Sequence, residues 1–349
     1  MSDTAPAPYA VDAGDVRRDR EAVLALWQGN LGEATRMQSK FDWFYAGCPF
    51  GEPTLRLLRQ VANGSHVGVA SAGPRRMQAA DSVFEAGVLV DLAVSPEHRS
   101  LGPAMMLQTA VAEAGAARFG LLYGFPNPKA APVFKRVGYA KLGEIVRYAR
   151  VLRHAGYLSR RLPRALAAVA GPFVDLGVRL RDAWRSRRDA RPLVLWSDAA
   201  DPRFDALWAR SNIGDTALSI RDYRFAHWRF DQCPFEDTEF LLLSDPANGD
   251  LLAWFACQIV DNTVHVRDFW SAEAAQGIAR IHVDTLMAEV RKRGHVAISV
   301  EVAGKRDRLA GWRAAGFSAR GKRPVFGKWS DGRAANEVDL YLTSADEDE

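Results

Sequence analysis

A strand, a glycine-containing turn and a helix follow one another between residues 88 and 118, and this succession limits the folds open to the chain. The apolar run at residues 88–94 predicts a buried strand that ends at Ser95-Pro96. Apolar and small residues at helical spacing follow from Pro103 onwards, and a first-turn proline is tolerated because its missing N–H would have no partner inside the helix. The sequence therefore predicts an α/β fold in which a helix N-terminus lies beside the end of a strand.

The turn that joins this strand to the helix has the chemistry of an anion site. Backbone N–H groups at a helix N-terminus are free, and the helix dipole contributes about 0.3–1 kcal/mol per favourable charge. Gly102 removes the side chain that would obstruct a phosphate, and Arg99 adds a fixed positive charge. We expect this turn to bind a pyrophosphate.

A second motif follows after another predicted strand at residues 120–125. It runs from Asn127 through Ala130 and Phe134 to Gly138-Tyr139. Together with the Arg-x-x-Gly-x-Ala turn, this segment resembles the GNAT (N-acetyltransferase) superfamily, whose members carry an Asn-x-x-Ala-x-x-Leu-Tyr-x-x-x-Gly-Phe signature at this place. The resemblance implies acetyl-CoA, or another acyl-CoA, as the cofactor and an amine as the acyl acceptor.

The resemblance also implies residues for the cofactor. Leu92, Ala93 and Val94 would offer backbone groups to the pantetheine arm, with Asn127 on its other side and Phe134 in the position where many relatives have a tyrosine. The pyrophosphate would be held by Arg99, Ser100, Leu101, Gly102, Pro103 and Ala104.

Direct attack of an amine on a thioester needs a deprotonated amine, an N–H that stabilises the oxyanion and, in some enzymes, an acid for the leaving thiolate. Asp91 is the carboxylate in the strand beside the expected thioester, and it is our candidate base; the alternative is that it only hydrogen-bonds a neighbouring loop. Because Phe134 cannot donate a proton, Tyr123 and Tyr139 are the candidate acids.

The C-terminal half of the chain repeats the order of the N-terminal half. Ala-Leu-Trp27 matches Ala-Leu-Trp208, the segment from Trp43 to Cys-Pro-Phe50 matches the segment from Trp228 to Cys-Pro-Phe235, and Gly138-Tyr139 matches Gly316-Phe317. We therefore expect two tandem GNAT-like domains, residues 1–150 and 193–345, each a mixed, mostly antiparallel sheet flanked by helices. A chain of 349 residues is long enough for two cores.

The two copies differ at the anion-binding turn. Aligning Gly277 with Gly102 puts Ala274 where Arg99 stands, so the positive charge is missing. A charge-assisted hydrogen bond contributes about 1.5–3 kcal/mol, and its loss predicts that the second copy is degenerate and that the N-terminal copy binds the cofactor.

Residues 151–192 form a basic connector rich in arginine. Its apolar stretches predict amphipathic helices, which either pack on the domains or let residues 156–188 contact an anionic membrane surface. The acidic tail after Asp331 is expected to be solvated, although residues 338–342 could add an edge strand. We expect no DNA partner, because the net charge is only +4 and no nucleic-acid motif occurs.

The three cysteines are too scattered for a disulfide framework, no metal site is indicated, and neither a signal peptide nor a spanning segment is recognisable, so we expect a cytoplasmic protein. The leading interpretation is an acyl-CoA-dependent N-acyltransferase whose acceptor binds near the domain interface. Two alternatives stay open: a FemABX-like aminoacyl transferase of cell-envelope synthesis, and a non-catalytic acyl-CoA sensor or scaffold.

Overall fold

A computed structural model describes residues 7–28, 30–153, 176–177, 191–335 and 337–348. The strands in chain order are β1 Tyr9–Ala13, β2 Thr54–Gln60, β3 His66–Ala79, β4 Ser82–Val94, β5 Leu121–Gly124, β6 Ala140–Val151, β7 Leu193–Ser197, β8 Thr216–Ser219, β9 Glu239–Ser244, β10 Leu251–Val260, β11 Thr263–Ser271, β12 Ala297–Ala303, β13 Ser318–Trp329 and β14 Asp339–Thr343. The helices are α1 Arg20–Gln28, α2 Ala34–Lys40, α3 Leu101–Ala116, α4 Ala131–Val137, α5 Arg203–Ala209, α6 Tyr223–Ala226, α7 Arg280–Lys292 and α8 Ala310–Ala314, with π-helical segments at Phe41–Ala46 and His227–Asp231.

The described strands form one twisted mixed sheet in the order β1-β2-β3-β4-β5-β13-β6-β12-β11-β10-β9-β7, while β14 and β8 bridge β12 and β3. Most neighbours are antiparallel. The pairs β4–β5, β11–β12 and β8–β14 are parallel, because a helix or a longer connection separates the members of each pair. The predicted mixed, mostly antiparallel α/β fold is confirmed.

The sheet pairs the two halves of the chain through their late strands. β13, from the C-terminal half, lies between β5 and β6. β6, from the N-terminal half, pairs on its other side with β12. Each half thus gives a strand to the sheet of the other half, and the predicted units 1–150 and 193–345 share one continuous sheet. Their boundaries stay a prediction.

Two matched tryptophans meet where the halves face each other. The rings of Trp43 and Trp228 stack with centroids 5.3 Å apart, and both residues are buried. The indole Nε1 of Trp43 donates to the carbonyl oxygen of Trp228 at 2.9 Å, and Trp228 Nε1 donates back to the Trp43 carbonyl at 3.3 Å. Such reciprocal contacts are typical of interfaces related by a two-fold axis, and they are consistent with a repeat of one unit.

Residues 340–346 of the acidic C-terminal segment are buried, so the expectation of a solvated tail is wrong for them, whereas residues 331–334 are exposed. Residues 339–343 form β14, and residues 344–346 form a short turn inside the molecule. Its backbone carbonyls accept hydrogen bonds from three side chains of the core: Arg229 Nε to Ala345, Tyr123 Oη to Asp346 and Arg75 Nη2 to Glu347. The acidic composition suggested solvent exposure, but arginines from distant elements pair with these carboxylates.

The basic connector at residues 151–192 and the predicted membrane-contacting stretch 156–188 lie almost entirely outside the described residues. Among the helices that the structure describes, none is long and apolar enough to cross a membrane.

The three cysteines each have a free thiol. Cys48 and Cys257 are buried and Cys233 is half-buried.

Candidate active site

A cleft opens where β4 and β5 stop pairing. Their parallel register ends at Val88 and Tyr123, and β5 ends at Gly124 whereas β4 continues to Val94. Gly124 allows this close packing, because a Cβ there would lie 3.1 Å from Leu89 Cβ and 3.3 Å from the Phe134 ring. The cleft contains a cavity of about 340 Å³ whose lining includes Leu92, Gln108, Asn127, Phe134, Lys40, Asp91 and Asp348.

The predicted anion turn at residues 99–104 forms the N-terminus of α3, and the space beside Gly102 is open. Ser100 is the N-cap residue, yet its side chain makes no capping hydrogen bond, so the first N–H groups of the helix have no side-chain acceptor there. A Cβ added to Gly102 would meet no atom within 4 Å. Arg99 donates from Nε to the Val94 carbonyl at 3.1 Å and from Nη2 to Asn30, which fixes its charge beside the turn.

The other predicted cofactor residues occupy the same region. Ala93 and Val94 pair with β3 on one edge, and beyond Val88 the opposite edge of β4 has no β5 partner in the sheet. Asn127 also has a structural role, since its side-chain oxygen accepts from the N–H groups of Lys129 and Ala130 at the start of α4.

Sequence reasoning missed Gln108, which lies on the inner face of α3. Its side chain is buried and lines the cavity, and its Oε1 has no hydrogen-bond partner. A buried amide oxygen without a donor is destabilising unless a ligand supplies one. The amide N–H groups of a pantetheine arm would do so, and this unpaired oxygen, with the open Gly102, indicates that the cleft fits an acyl-CoA.

Asp91, the candidate base, is held by two side chains from the segment before β2. It lies at a bulge in β4 with φ of +55°, a backbone conformation that aspartate tolerates better than most residues. Lys40 Nζ donates to its Oδ1 at 2.7 Å and the Tyr45 hydroxyl donates to its Oδ2 at 2.8 Å. Burial raises the pKa of Asp91, and the Lys40 ammonium opposes that rise.

Asp348 brings a second carboxylate to the same lysine. Its Oδ2 accepts from Lys40 Nζ at 2.6 Å, and its side chain remains 31% exposed, whereas that of Asp91 is 4% exposed. Burial would raise the pKa of Asp348, but the Lys40 ammonium outweighs it and holds the pKa below its ordinary value. Two carboxylates thus face one ammonium in the cleft, and the more accessible carboxylate comes from the far end of the sequence.

The two candidate acids do not line this cavity. Tyr123 is fully buried, its hydroxyl donates to the Asp346 carbonyl at 3.0 Å, and burial raises its pKa. Tyr139 packs against Phe134 on the side of α4 where Lys135 and Phe326 line a separate hollow, and burial raises its pKa as well. The sequence made both tyrosines candidate acids, but the direction of each side chain depends on the backbone that carries it.

The corresponding turn of the C-terminal half is closed. A Cβ at Gly277 would lie 3.3 Å from the backbone of Arg308, and a Cβ at Gly311 would lie 2.0 Å from the Ile278 carbonyl oxygen. The segment at residues 306–311 therefore covers the N-terminal end of α7.

The C-terminal half also contains a buried ion-pair cluster. Arg221 forms ion pairs with Asp268 and Asp346 at 2.9 Å each, with all three side chains fully buried.

The fold is shared with solved structures of N-acetyltransferases. A conserved protein of unknown function from Enterococcus faecalis V583, described as a probable N-acyltransferase, is 10% identical with a TM-score of 0.64, and the match covers 93% of this chain and 73% of that one. A GCN5-related N-acetyltransferase from Kribbella flavida is 12% identical with a TM-score of 0.61, covering 92% and 71%. One from Anabaena variabilis is 9% identical with a TM-score of 0.60, covering 92% and 73%.

No protein-family model matches the sequence, and no curated protein matches it. At such low identities the likeness defines the class of fold: the chain has the architecture of the GCN5-related N-acetyltransferases.

Proposed function

We propose that the protein is an N-acyltransferase that takes an acetyl or similar acyl group from an acyl-CoA and transfers it to an amine. Two features together carry the proposal. The N-terminus of α3 is open at Gly102 and positively charged, and the cleft between β4 and β5 contains the accessible carboxylate of Asp348. The likeness to N-acetyltransferases in fold supports this class of reaction.

Two groups of residues would bind the cofactor, one at its pyrophosphate and one at its pantetheine arm. The turn at residues 99–104 would bind the pyrophosphate through backbone N–H groups and the Arg99 charge. The unpaired edge of β4 at residues 92–94, the amides of Gln108 and Asn127 and the ring of Phe134 would line the pantetheine arm. When bound, the thioester supplies the activated acyl carbon.

Asp348 is our candidate for the carboxylate that binds and orients the amine by accepting a hydrogen bond from it. Both oxygens of Asp91 already accept hydrogen bonds, so Asp91 would act by fixing Lys40 and Tyr45. Asp348 is the more accessible carboxylate of the pair, and two carboxylates against one ammonium attract a cationic amine into the cleft. Because the attacking amine must lose a proton, we expect acyl transfer to speed up as the pH rises towards the pKa of the amine.

Calorimetric titration with acetyl-CoA tests the binding step. In the Gly102→Glu variant a carboxylate occupies the place of the pyrophosphate, and we expect a loss of affinity of at least about a hundredfold, the equivalent of one strong charge-assisted contact. The control is Gly321→Glu, the same change at an exposed glycine of β13 that also has open space around it. Equal affinity in the wild-type protein and Gly102→Glu would overturn the assignment of the turn.

A non-catalytic acyl-CoA sensor is the second candidate, because neither Tyr123 nor Tyr139 lines the cavity and Phe134 cannot donate a proton. Release of free thiol from acetyl-CoA in the presence of primary amines separates the two functions. Amine-dependent release that is slowed in Asp348→Asn supports the transferase, while tight binding without release supports the sensor.

A further inference from the structure

Three consecutive backbone carbonyls of the C-terminal segment each accept a hydrogen bond from a buried side chain. The pairs are Arg229 Nε to Ala345 at 2.9 Å, Tyr123 Oη to Asp346 at 3.0 Å and Arg75 Nη2 to Glu347 at 3.1 Å. None of the three donor side chains belongs to a residue more than 2% exposed. Residues 345–347 follow β14 and pair with no strand in the described part of the chain, so side chains supply the donors that these carbonyls need.

The two arginine donors are fixed at the interface between the halves. Arg75, from the N-terminal half, has its guanidinium carbon 4.8 Å from the ring centroid of Trp228. Arg229, from the C-terminal half, has its guanidinium carbon 5.2 Å from the ring centroid of Trp43. Guanidinium groups over indole rings are held by cation–π attraction. Because the two tryptophans stack on each other, the two arginines belong to one packed unit built from both halves.

Asp348 directly follows the three anchored residues. Its Oδ2 accepts from Lys40 Nζ at 2.6 Å, and the residue lines the cofactor cleft. The Cα atoms of Glu347 and Asp348 are about 3.8 Å apart, so the anchored Glu347 carbonyl restricts where the Asp348 carboxylate can lie. Ordering a segment outside the sheet costs conformational entropy, and the three hydrogen bonds offset that cost.

Arg229 also acts on Asp348 through its charge. Burial lowers the pKa of Arg229 to about 10, which leaves the guanidinium charged near pH 7. Burial would raise the pKa of Asp348, but the Lys40 ammonium outweighs it, and Arg229 adds to the lowering. Arg229 thus helps to keep this carboxylate ionised, which is the form that attracts a cationic amine.

We propose that Tyr123, Arg75 and Arg229 are positioning residues of the amine site, which hold the main chain at residues 345–347 and so keep the carboxylate of Asp348 in the cleft. The proposal rests on the proposed acyl transfer. Tyr123 would act through a backbone carbonyl and not as a proton donor. The C-terminal half, which lacks the open anion turn, would take part in amine binding through Arg229.

Removing the Tyr123 hydroxyl tests the inference without adding bulk. Thiol release from acetyl-CoA is measured with a panel of primary amines that includes putrescine, tyramine and ethanolamine, and the most reactive amine is used for the variants. We expect Tyr123→Phe to raise KM for the amine about three- to tenfold, the factor that corresponds to one hydrogen bond, while KM for acetyl-CoA stays unchanged. Tyr341→Phe is the control and should change neither value, because Tyr341 is also buried and its hydroxyl has no hydrogen-bond partner among the described residues.

A double-mutant cycle separates positioning from a general effect on the fold. If Tyr123 acts through Asp348, Tyr123→Phe should change KM for the amine by less than about twofold in the Asp348→Asn background, because the two changes remove one function. Arg229→Met should raise KM for the amine at least as much as Tyr123→Phe, since it removes a charge-assisted hydrogen bond. If Arg229→Met does not fold, the Tyr123→Phe cycle decides.

Two results would overturn the inference and leave the acyltransferase standing. One is an unchanged KM for the amine in Tyr123→Phe, and the other is an equal effect of Tyr123→Phe with and without Asp348. If the wild-type protein does not bind acetyl-CoA in the calorimeter, or binds it without amine-dependent thiol release, the proposed function itself is overturned.

Discussion

At the scale of single residues, the site depends on side chains that come together from distant positions. Lys40, Tyr45 and Asp348 all converge on the cleft around Asp91. The sequence predicted roles for Gly102, Arg99 and Asp91 because they lie in one local pattern. It could not identify Lys40 or Asp348, since a lysine at a helix end and an acidic tail are most often solvated.

Removing the Lys40 ammonium should destabilise the protein, because Lys40 pairs with the buried carboxylate of Asp91. We expect Lys40→Met to lower the free energy of unfolding by about 3–5 kcal/mol, because the nearly buried Asp91 carboxylate would lose its counter-charge. Urea denaturation at pH 7 measures the change. Adding Asp91→Asn should recover much of the loss, since asparagine tolerates the positive φ and needs no cation. A loss below about 1 kcal/mol would mean that the pair contributes as little as a surface ion pair.

At the scale of elements, the succession of strand, turn and helix occurs in both halves of the chain, but the turn is open in one half and covered in the other. Before α3 the turn is open at Gly102, and before α7 it is covered by the segment at residues 306–311. The missing arginine at Ala274 predicted the loss of the anion site. The covering segment was not predictable, because local sequence does not show which distant backbone will lie against a turn.

Gly311 tests whether the covered turn is a packed part of the fold. A Cβ at this position would overlap the Ile278 carbonyl oxygen, so Gly311→Ala forces the backbone apart. We expect a destabilisation of about 1–3 kcal/mol, the range found for overpacked cores, and thermal unfolding measures it. Gly102→Ala, where the added methyl group meets no atom within 4 Å, is the matched control. Equal melting temperatures for the two variants would contradict the close packing.

At the scale of the whole molecule, strand exchange binds the halves more firmly than a linker would. β13 supplies the neighbour of β5 and β6 supplies the neighbour of β12, so each half on its own would expose unpaired strand edges. The stacked tryptophans and the buried C-terminal segment add contacts across the same boundary. The repeat in the sequence suggested two separate sheets, and the pairing gave one.

Because the halves exchange strands, we expect that neither half folds when it is expressed separately. We expect residues 1–153 and 191–349, produced alone, to aggregate or to lack a cooperative unfolding transition, and to form a folded complex when produced together. Circular dichroism and size-exclusion chromatography measure both outcomes. A monomeric half with a sharp thermal transition of its own would show that the exchanged strands are dispensable.

The sequence by itself determined the order of strands and helices, and it predicted the anion turn with Arg99 and Gly102 and the loss of that site in the second copy, because these depend on residues adjacent in the chain. Only the tertiary structure decided which strands exchange, where Tyr123 and Tyr139 point, and that the acidic C-terminal segment is buried beside the cleft. The physical reason is that a local pattern specifies backbone geometry, whereas a buried charge is stable only beside partners that folding brings from elsewhere.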